Sequence, residues 1–232
     1  NPDITIYDCL DDFPEWEKDV DHMTEKSDII LATSKKLFNE RKKEHQEVYL
    51  IRNACDPKHF SHSNYIPEEL IDLKRPIIGF VGAVGKWVNV DILNKIGEKY
   101  TTVVIGPEFE QKLPENVIKI GTKNYELLPD YYHNIDIGII PFHDNKITRA
   151  VNPIKMYEYF AAGKPIVASD LPEMRIFPEH IFTANNVKQY FKAIKRAEEA
   201  TTPAHKEERK SLARIHSWEN SFDQLNQILK NY

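Results

Sequence analysis

Two charged residues on one short stretch carry the first chemical signal of this sequence. Lys155 and Glu158 stand three residues apart within residues 150–170, AVNPIKMYEYFAAGKPIVASD. The segment reads as a loop, a helix, a glycine stop and a buried strand. Asn152 is placed to cap the helix, because its side-chain oxygen can accept a backbone N–H that the first turn leaves unpaired. Pro153 suits the first helical position, where a missing N–H costs nothing. Gly163 can take the left-handed conformation that ends a helix, Pro165 prevents continuation, and Ile166, Val167 and Ala168 suit a strand covered on both faces. Lys155 then lies in the first turn, where the helix dipole disfavours a cation. Two readings fit. In one, Lys155 and Glu158 form an i,i+3 ion pair on a solvated face. In the other, the free N–H groups of the helix start and the Lys155 ammonium make an anion site that a phosphate completes. Glu158, one turn deeper, would accept hydrogen bonds from sugar hydroxyls.

Such a site needs loops from other strands to surround it, and the rest of the chain supplies them. Short apolar runs end near Asp8 and cover residues 28–34 and 48–51, with helical sequence at 16–26 and 35–43; Ser34 is placed to cap the second of these helices. Three strands are too few for a complete doubly wound sheet, so this part reads as the tail of a larger domain. Residues 57–75 are polar and read as a linker with one short helix. A new unit opens at Pro76, with strands at 76–82, 102–106, 117–121, 136–141, 166–168 and 180–183. Helices are expected at 90–99, 126–132, 187–200 and 217–229, with a break at Thr201-Thr202-Pro203. Strands alternating with helices indicate βαβ units and a parallel sheet. Ligands of such sheets sit at the carboxyl ends of the strands. The loop after the first strand of the unit, Gly82-Ala83-Val84-Gly85-Lys86-Trp87, lets the backbone approach a phosphate or sugar closely at Gly82, and Lys86 adds a cation; a plain tight turn fits the glycines as well. The loop 141–151 is polar, with His143, Asp144, Asn145, Thr148 and Arg149, and lies between a buried strand and the helix of Lys155. Residues 169–173 read as structural.

Composition narrows the function classes. The 232 residues carry a formal net charge of -5, which argues against a general nucleic-acid binder. Cys9 and Cys55 give neither metal-ligand spacing nor a disulfide framework, and a reducing, cytoplasmic setting is the simple expectation. No apolar run reaches the length of a membrane span. The chain opens with Asn-Pro directly into a strand-like run, so a missing N-terminal segment is expected.

The segment NPIKMYEYFAAGKPIVASDLPE resembles the donor-binding pattern of retaining, family-4-type (group 1) glycosyltransferases of the GT-B fold. That pattern has a Glu, seven residues, a second Glu, a small-residue turn, Gly, Pro and a Val-rich strand. Glu158 matches the second Glu, with Ala161, Ala162, Gly163, Pro165 and Val167 in register; the first Glu falls at Ala150. The order Tyr7-Asp8, Asp11-Asp12, Ala32-Thr33-Ser34, Asn53, Asp56 and Phe60, then Phe80-Val81-Gly82, then Ser217-Trp218-Glu219 extends the resemblance over nearly the whole chain. Related enzymes often place Arg after the first glycine of the 82–87 loop, where this chain has Ala83.

The resemblance implies an α/β architecture: a Rossmann-like donor domain of a GT-B fold plus the remnant of a second Rossmann-like domain. The divisions expected are 1–60 for the end of the acceptor-side domain, 61–75 for a linker, 76–205 for the donor domain and 206–232 for C-terminal crossing helices. It implies transfer of a sugar, with retention, from a nucleotide-diphosphate sugar to a glycan or lipid-linked acceptor, in cell-surface polysaccharide or glycoconjugate synthesis. No metal and no cofactor beyond that donor substrate are implied, and peripheral contact with the inner face of a membrane is compatible with such acceptors. Lys155 and Glu158 would act on the diphosphate and the ribose. Gly82, Lys86, His143, Asn145, Thr148 and Asn152 would line the donor, with Thr122 and Tyr125 beside the base. A non-catalytic binding subunit and a sugar-nucleotide epimerase on the same fold are the alternatives. The epimerase would need a carboxylate base in the loop 141–151, where Asp144 is the only one.

Overall fold

The computed structural model describes residues 3–232. Its first unit is a parallel three-stranded sheet, in the order β1 (Ile6–Cys9), β2 (Ile29–Ala32) and β3 (Val48–Leu50). All four residues of β2 are buried, which is why its sequence is an unbroken apolar run rather than an alternating one. The crossovers are helices α1 (Glu17–Lys26) and α2 (Lys35–Arg41). Ser34 caps α2 as its sequence implies, accepting the Leu37 backbone N–H at 3.3 Å. A polar connection carrying α3 (Glu68–Ile71) leads to the second unit.

That unit is a six-stranded, all-parallel sheet built from β4 (Ile77–Val81), β5 (Thr101–Ile105), β6 (Ile118–Gly121), β7 (Ile137–Ile140), β8 (Ile166–Ser169) and β9 (Ile181–Ala184). Its spatial order is β6-β5-β4-β7-β8-β9. The chain therefore winds outward from β4 through β6, then returns to the far side of β4 with β7. The crevice where ligands bind in such sheets opens between the carboxyl ends of β4 and β7. Helices α4 (Val90–Gly97), α5 (Leu128–Asn134), α6 (Ile154–Ala161) and α7 (Val187–Glu199) cover the faces. The apolar stripes explain their docking: Ile92, Leu93 and Ile96 of α4, and Tyr190, Ala193, Ile194 and Ala197 of α7, are buried at helical spacing.

Helix α6 is the element that carries Lys155 and Glu158. Its end follows the glycine rule: Gly163 has φ +73°, its N–H donates to the Phe160 carbonyl at 2.8 Å, and the Lys164 N–H donates to the Tyr159 carbonyl at 2.8 Å. Two carbonyls that the last turn would leave unpaired are thereby satisfied. Its start departs from expectation. Pro153, not Asn152, holds the cap position, in an extended conformation and without a side-chain cap bond. The Asn152 amide is claimed instead by residues distant in sequence: Oδ1 accepts from the Asn53 N–H and the Tyr157 hydroxyl, each at 3.1 Å, and Nδ2 donates to Glu173 at 3.0 Å. Farther along, Tyr159 pins α6 to the sheet. Its buried hydroxyl donates to the Gly79 carbonyl at 2.8 Å and accepts the Val81 N–H at 3.1 Å. A side chain at Gly138 would begin 2.6 Å from the Tyr159 ring, so β7 can carry only glycine there. Replacing Tyr159 with phenylalanine should cost about 1–3 kcal/mol by leaving two buried backbone groups unpaired, measured as a loss of urea stability.

Past α7, which ends at Glu199, the expected break falls at residues 200–202, and a helix that the sequence reading did not give follows it. This helix, α8 (Pro203–Ile215), begins with the Thr202 hydroxyl accepting the His205 N–H at 3.3 Å and Pro203 in the first turn. It runs across the expected division at 205/206. Arg209, fully buried, donates to the carbonyls of Gly163 at 3.1 Å and Ala200 at 2.5 Å, satisfying the ends of α6 and α7. Burial lowers its pKa to about 10. Helix α9 (Trp218–Leu229) follows. The two units meet where Cys55 pairs with the segment before α9, its N–H donating to His216 and its carbonyl accepting from Trp218, each at 3.1 Å. Cys9 and Cys55 are buried and unpaired.

Candidate functional site

The loops at the switch point are knit to one another before any ligand arrives. Gly106, after β5, has φ +147°, and a Cβ there would lie 2.2 Å from the Gly82 carbonyl oxygen, so the two loop backbones touch. The segment 82–89 is held on its other side by the loop after β7: the Asn89 N–H donates to Pro141 at 2.7 Å and the His143 N–H donates to Trp87 at 2.8 Å. Gln111 adds two bonds, to the carbonyls of Gly85 at 2.7 Å and Val88 at 2.9 Å. Lys86 reaches away to Glu110 at 3.2 Å, with 78% of its side chain exposed. Trp87 rather than Lys86 lines the cavity beside α6.

That cavity, of about 330 Å³, lies between the two units and is bounded by Phe13 and Asn53 from the first and by Trp87, Phe142, Val151 and Lys155 from the second. Its size falls in the small-molecule range. Lys155 occupies the first turn of α6 and stretches toward β4. A Cβ on Gly82 would stand 3.1 Å from Lys155 Cε and 3.4 Å from Nζ. Gly82 therefore leaves the space that the lysine uses. The ammonium lies 5.4 Å from the Phe142 ring centre and 5.6 Å from that of Phe80. It forms no hydrogen bond or ion pair among the described residues, and burial lowers its pKa, opposed by the Glu158 charge. The i,i+3 ion pair on a solvated face is thus not formed. Two aromatic rings favour the ammonium, while the helix dipole and the partial burial oppose it, and an anion in the adjoining cavity would relieve both.

Glu158, on the same helix face, is partly buried. The Tyr132 hydroxyl donates to it at 2.5 Å. Burial raises its pKa, while Tyr132, Lys155 and His59 pull it down. Tyr125, after β6, stands close enough for Glu158 to affect its phenol, which burial pushes up to about 12. One face of Tyr125 is already covered: the His59 ring stacks on it at 4.3 Å and 5°. Thr122 is exposed on the same loop. The structure therefore sets Lys155 against Gly82 and within range of the Glu158 charge, which in turn reaches Tyr125; of the candidate donor-site residues named from the sequence, Lys155, Thr148 and Asn152 line the cavity.

The loop 141–151 is organised internally. Thr148 is buried; its hydroxyl donates to the His143 carbonyl and accepts the Asn145 N–H at 3.1 Å, while Asn145 Oδ1 accepts the Thr148 N–H at 3.0 Å. Asn145 and Thr148 thus shape the loop with their polar groups, and His143 contributes its backbone to the fold. Asp144 is forked by Arg149 at 2.5 and 2.8 Å, which holds its carboxyl below the usual range. Asn152 is buried, its Oδ1 accepting two bonds and its Nδ2 donating to Glu173. Sequence reasoning did not find Trp87, Tyr132 or Glu173 as parts of this site. Trp87 ends a loop that the glycines had singled out, which was the available signal; Tyr132 and Glu173 act through contacts distant in sequence. No helix among the described residues is long and apolar enough to cross a membrane, and no three His, Cys, Asp or Glu side chains among them converge as metal ligands.

Comparison with known proteins bears on this geometry. Over 224 residues the chain is 25% identical to a protein of Bacillus subtilis (strain 168) that carries the provisional name teichuronic acid biosynthesis glycosyltransferase TuaH, covering 87% of this chain and 56% of that one. The chain thus spans about half the length of this curated relative. Among solved structures, Anabaena HepE in complex with UDP-glucose superposes with a TM-score of 0.77 at 13% identity, over 98% of this chain and 72% of that one. Sucrose-phosphate synthase from Thermosynechococcus elongatus superposes with a TM-score of 0.69 at 16% identity, over 90% and 59%. These likenesses and the parallel sheets establish the GT-B type of fold. The sequence profile of glycosyl transferases group 1 matches residues 75–199, from the start of the six-stranded unit to the end of α7. The match takes in more than half of the chain, including β4, the switch-point loops and the whole of α6, and the chain belongs to the glycosyl transferases group 1.

Proposed function

We propose that this chain contains the donor side of a retaining glycosyltransferase, which moves a sugar from a nucleotide-diphosphate sugar to an acceptor hydroxyl. The observation that carries the reading is the unpaired Lys155 ammonium at the start of α6, beside Gly82 in the crevice between β4 and β7. As the bond between the anomeric carbon and the diphosphate breaks, its electron pair goes to the departing phosphate oxygen. The free N–H groups of the first turn of α6 and Lys155 meet that developing charge with a preorganised field. The acceptor oxygen bonds to the anomeric carbon and gives its proton to the departing phosphate. Glu158 takes hydrogen bonds from the ribose hydroxyls, and the loop of Thr122 and Tyr125 lies beside the base. His143, Asn145 and Thr148 border the donor sugar. Residues 76–205 act as the donor domain, and the first sheet belongs to an acceptor-side domain. The setting is cytoplasmic, with peripheral contact to the membrane where the acceptor is lipid-linked. The Bacillus relative supports a role in cell-surface polysaccharide synthesis, and the HepE complex supports a uridine nucleotide as donor.

A second reading, a nucleotide-sugar-binding subunit without turnover, draws on Ala150. That position, where related enzymes carry the first Glu of the pattern, is fully buried and packs with Cys9, Ile30 and Ala32 of the first unit. Proton NMR of the chain with UDP-glucose or GDP-mannose and candidate acceptors tests both. Release of the diphosphate with a product of unchanged anomeric configuration supports the transferase; an inverted product contradicts retention, and binding without release favours the subunit. The epimerase is disfavoured because Asp144, its only candidate base in the loop 141–151, lies in an exposed ion pair with Arg149 that lowers its pKa. Asp144→Asn should therefore leave turnover within about twofold, whereas loss of a true general base costs on the order of 100-fold or more.

A further inference from the structure

Glu173 is a buried carboxylate, 2% exposed, that the transfer chemistry does not use. Three donors converge on it. The Lys35 backbone N–H, at the start of α2, reaches Oε1 at 2.9 Å; Arg52 Nε, just after β3, reaches Oε2 at 2.8 Å; and Asn152 Nδ2 reaches Oε2 at 3.0 Å. The first two come from the first unit, while Asn152 immediately precedes α6. Asn53 ties the same point down from the other side, its side chain donating to the Asn152 carbonyl at 2.6 Å. Helix α6 has no side-chain cap of its own. The place of its first turn is therefore tied to this buried network, together with the local bond from the Tyr157 hydroxyl to Asn152 at 3.1 Å.

We propose that Glu173 is a positioning residue for the diphosphate site. Through Asn152 it holds the start of α6, and with it the free N–H groups and the Lys155 ammonium three residues on, at the geometry a diphosphate requires. Through Arg52 and Lys35 it ties that geometry to the seat of the first sheet. Electrostatic stabilisation falls steeply with misplacement, so a small shift of the helix start registers at the phosphates before it registers elsewhere. The inference rests on the donor-site reading above.

Glu173→Gln keeps the shape but breaks the pattern. Each carboxylate oxygen accepts from N–H donors, so an amide nitrogen in either position faces a donor with a donor. The test is calorimetric titration of wild type and Glu173→Gln with UDP, GDP, uridine and guanosine. The expected result is that the variant loses about tenfold in affinity for the preferred diphosphate, the scale of one charged hydrogen bond, while its nucleoside affinity stays within about twofold. Arg52→Gln, at a side chain 24% exposed, keeps the test open if Glu173→Gln fails to fold, and should show the same selective loss. Unchanged diphosphate affinity, or an equal loss for diphosphate and nucleoside, overturns the positioning role and leaves the donor site standing. A wild-type chain that binds diphosphate no better than nucleoside overturns the donor-site reading, and the positioning role falls with it.

Discussion

Lys155→Met is expected to weaken binding of UDP or GDP by roughly 10- to 100-fold, the range for a lost charge-assisted contact, while leaving uridine or guanosine binding nearly unchanged. Methionine keeps an unbranched apolar stem and removes the ammonium, which lies 5.6 Å from the Phe80 ring centre and 5.4 Å from that of Phe142. The pH dependence has a definite sign. Burial lowers the Lys155 pKa in the free protein, and a bound diphosphate would raise it again. Binding should take up a proton in the alkaline range, and diphosphate affinity should fall as pH rises toward the ordinary lysine value of about 10.4. Stability responds in the opposite sense. The partly buried cation is disfavoured at pH values below its folded pKa, so Lys155→Met should melt at or above the wild-type temperature near neutral pH. That advantage should fade as pH rises through the lowered pKa, where wild type loses the charge as well. A variant that melts lower and loses nucleoside and diphosphate affinity alike would show that Lys155 is a packing residue.

Glu158→Gln should separate the ribose contact from the phosphate contact. The role proposed for the carboxylate is to accept from the ribose hydroxyls, and its loss should lower affinity for uridine and UDP, or guanosine and GDP, by the same factor of about ten. The Tyr132 hydroxyl can still donate to the glutamine oxygen, so the local packing survives. Because burial raises the Glu158 pKa, the folded chain holds a proton there that the unfolded chain gives up. Wild-type stability from this group is therefore lost as pH rises from the ordinary glutamate value of about 4.3 through the raised value. Glu158→Gln should gain relative stability above that window and none below it. A large fall in melting temperature near neutral pH would mark Glu158 as structural.

The fold was legible in the sequence wherever the signal was local. Unbroken apolar runs marked the parallel strands, Ser34 marked the start of α2, and Gly163 with Pro165 marked the end of α6. The reading failed where local rules met tertiary partners or a weak pattern. Asn152 has the chemistry of a cap, but Asn53, Tyr157 and Glu173 take up its amide, and α6 starts without it. Helix α8 went unread because its buried residues are only Arg209 and Ala213, which leaves almost no apolar period; yet Thr202 followed by Pro203, read only as a break, also starts a helix. Lys155 and Gly82 were each legible as candidates, at the start of a helix and the carboxyl end of a strand, but their contact comes only from the fold. That Lys86 turns to Glu110 while Trp87 lines the cavity depends on how the loop is strapped by Gln111 and Pro141, and no spacing rule reports that.

The central claim is that the start of α6 and Lys155 form a diphosphate site. Its most direct test is calorimetric titration of the unmodified chain with UDP and GDP beside uridine and guanosine. Selective binding of one diphosphate, at least about tenfold tighter than its own nucleoside as one charged contact requires, is the predicted result. Equal binding of diphosphate and nucleoside, or binding of neither, would contradict it.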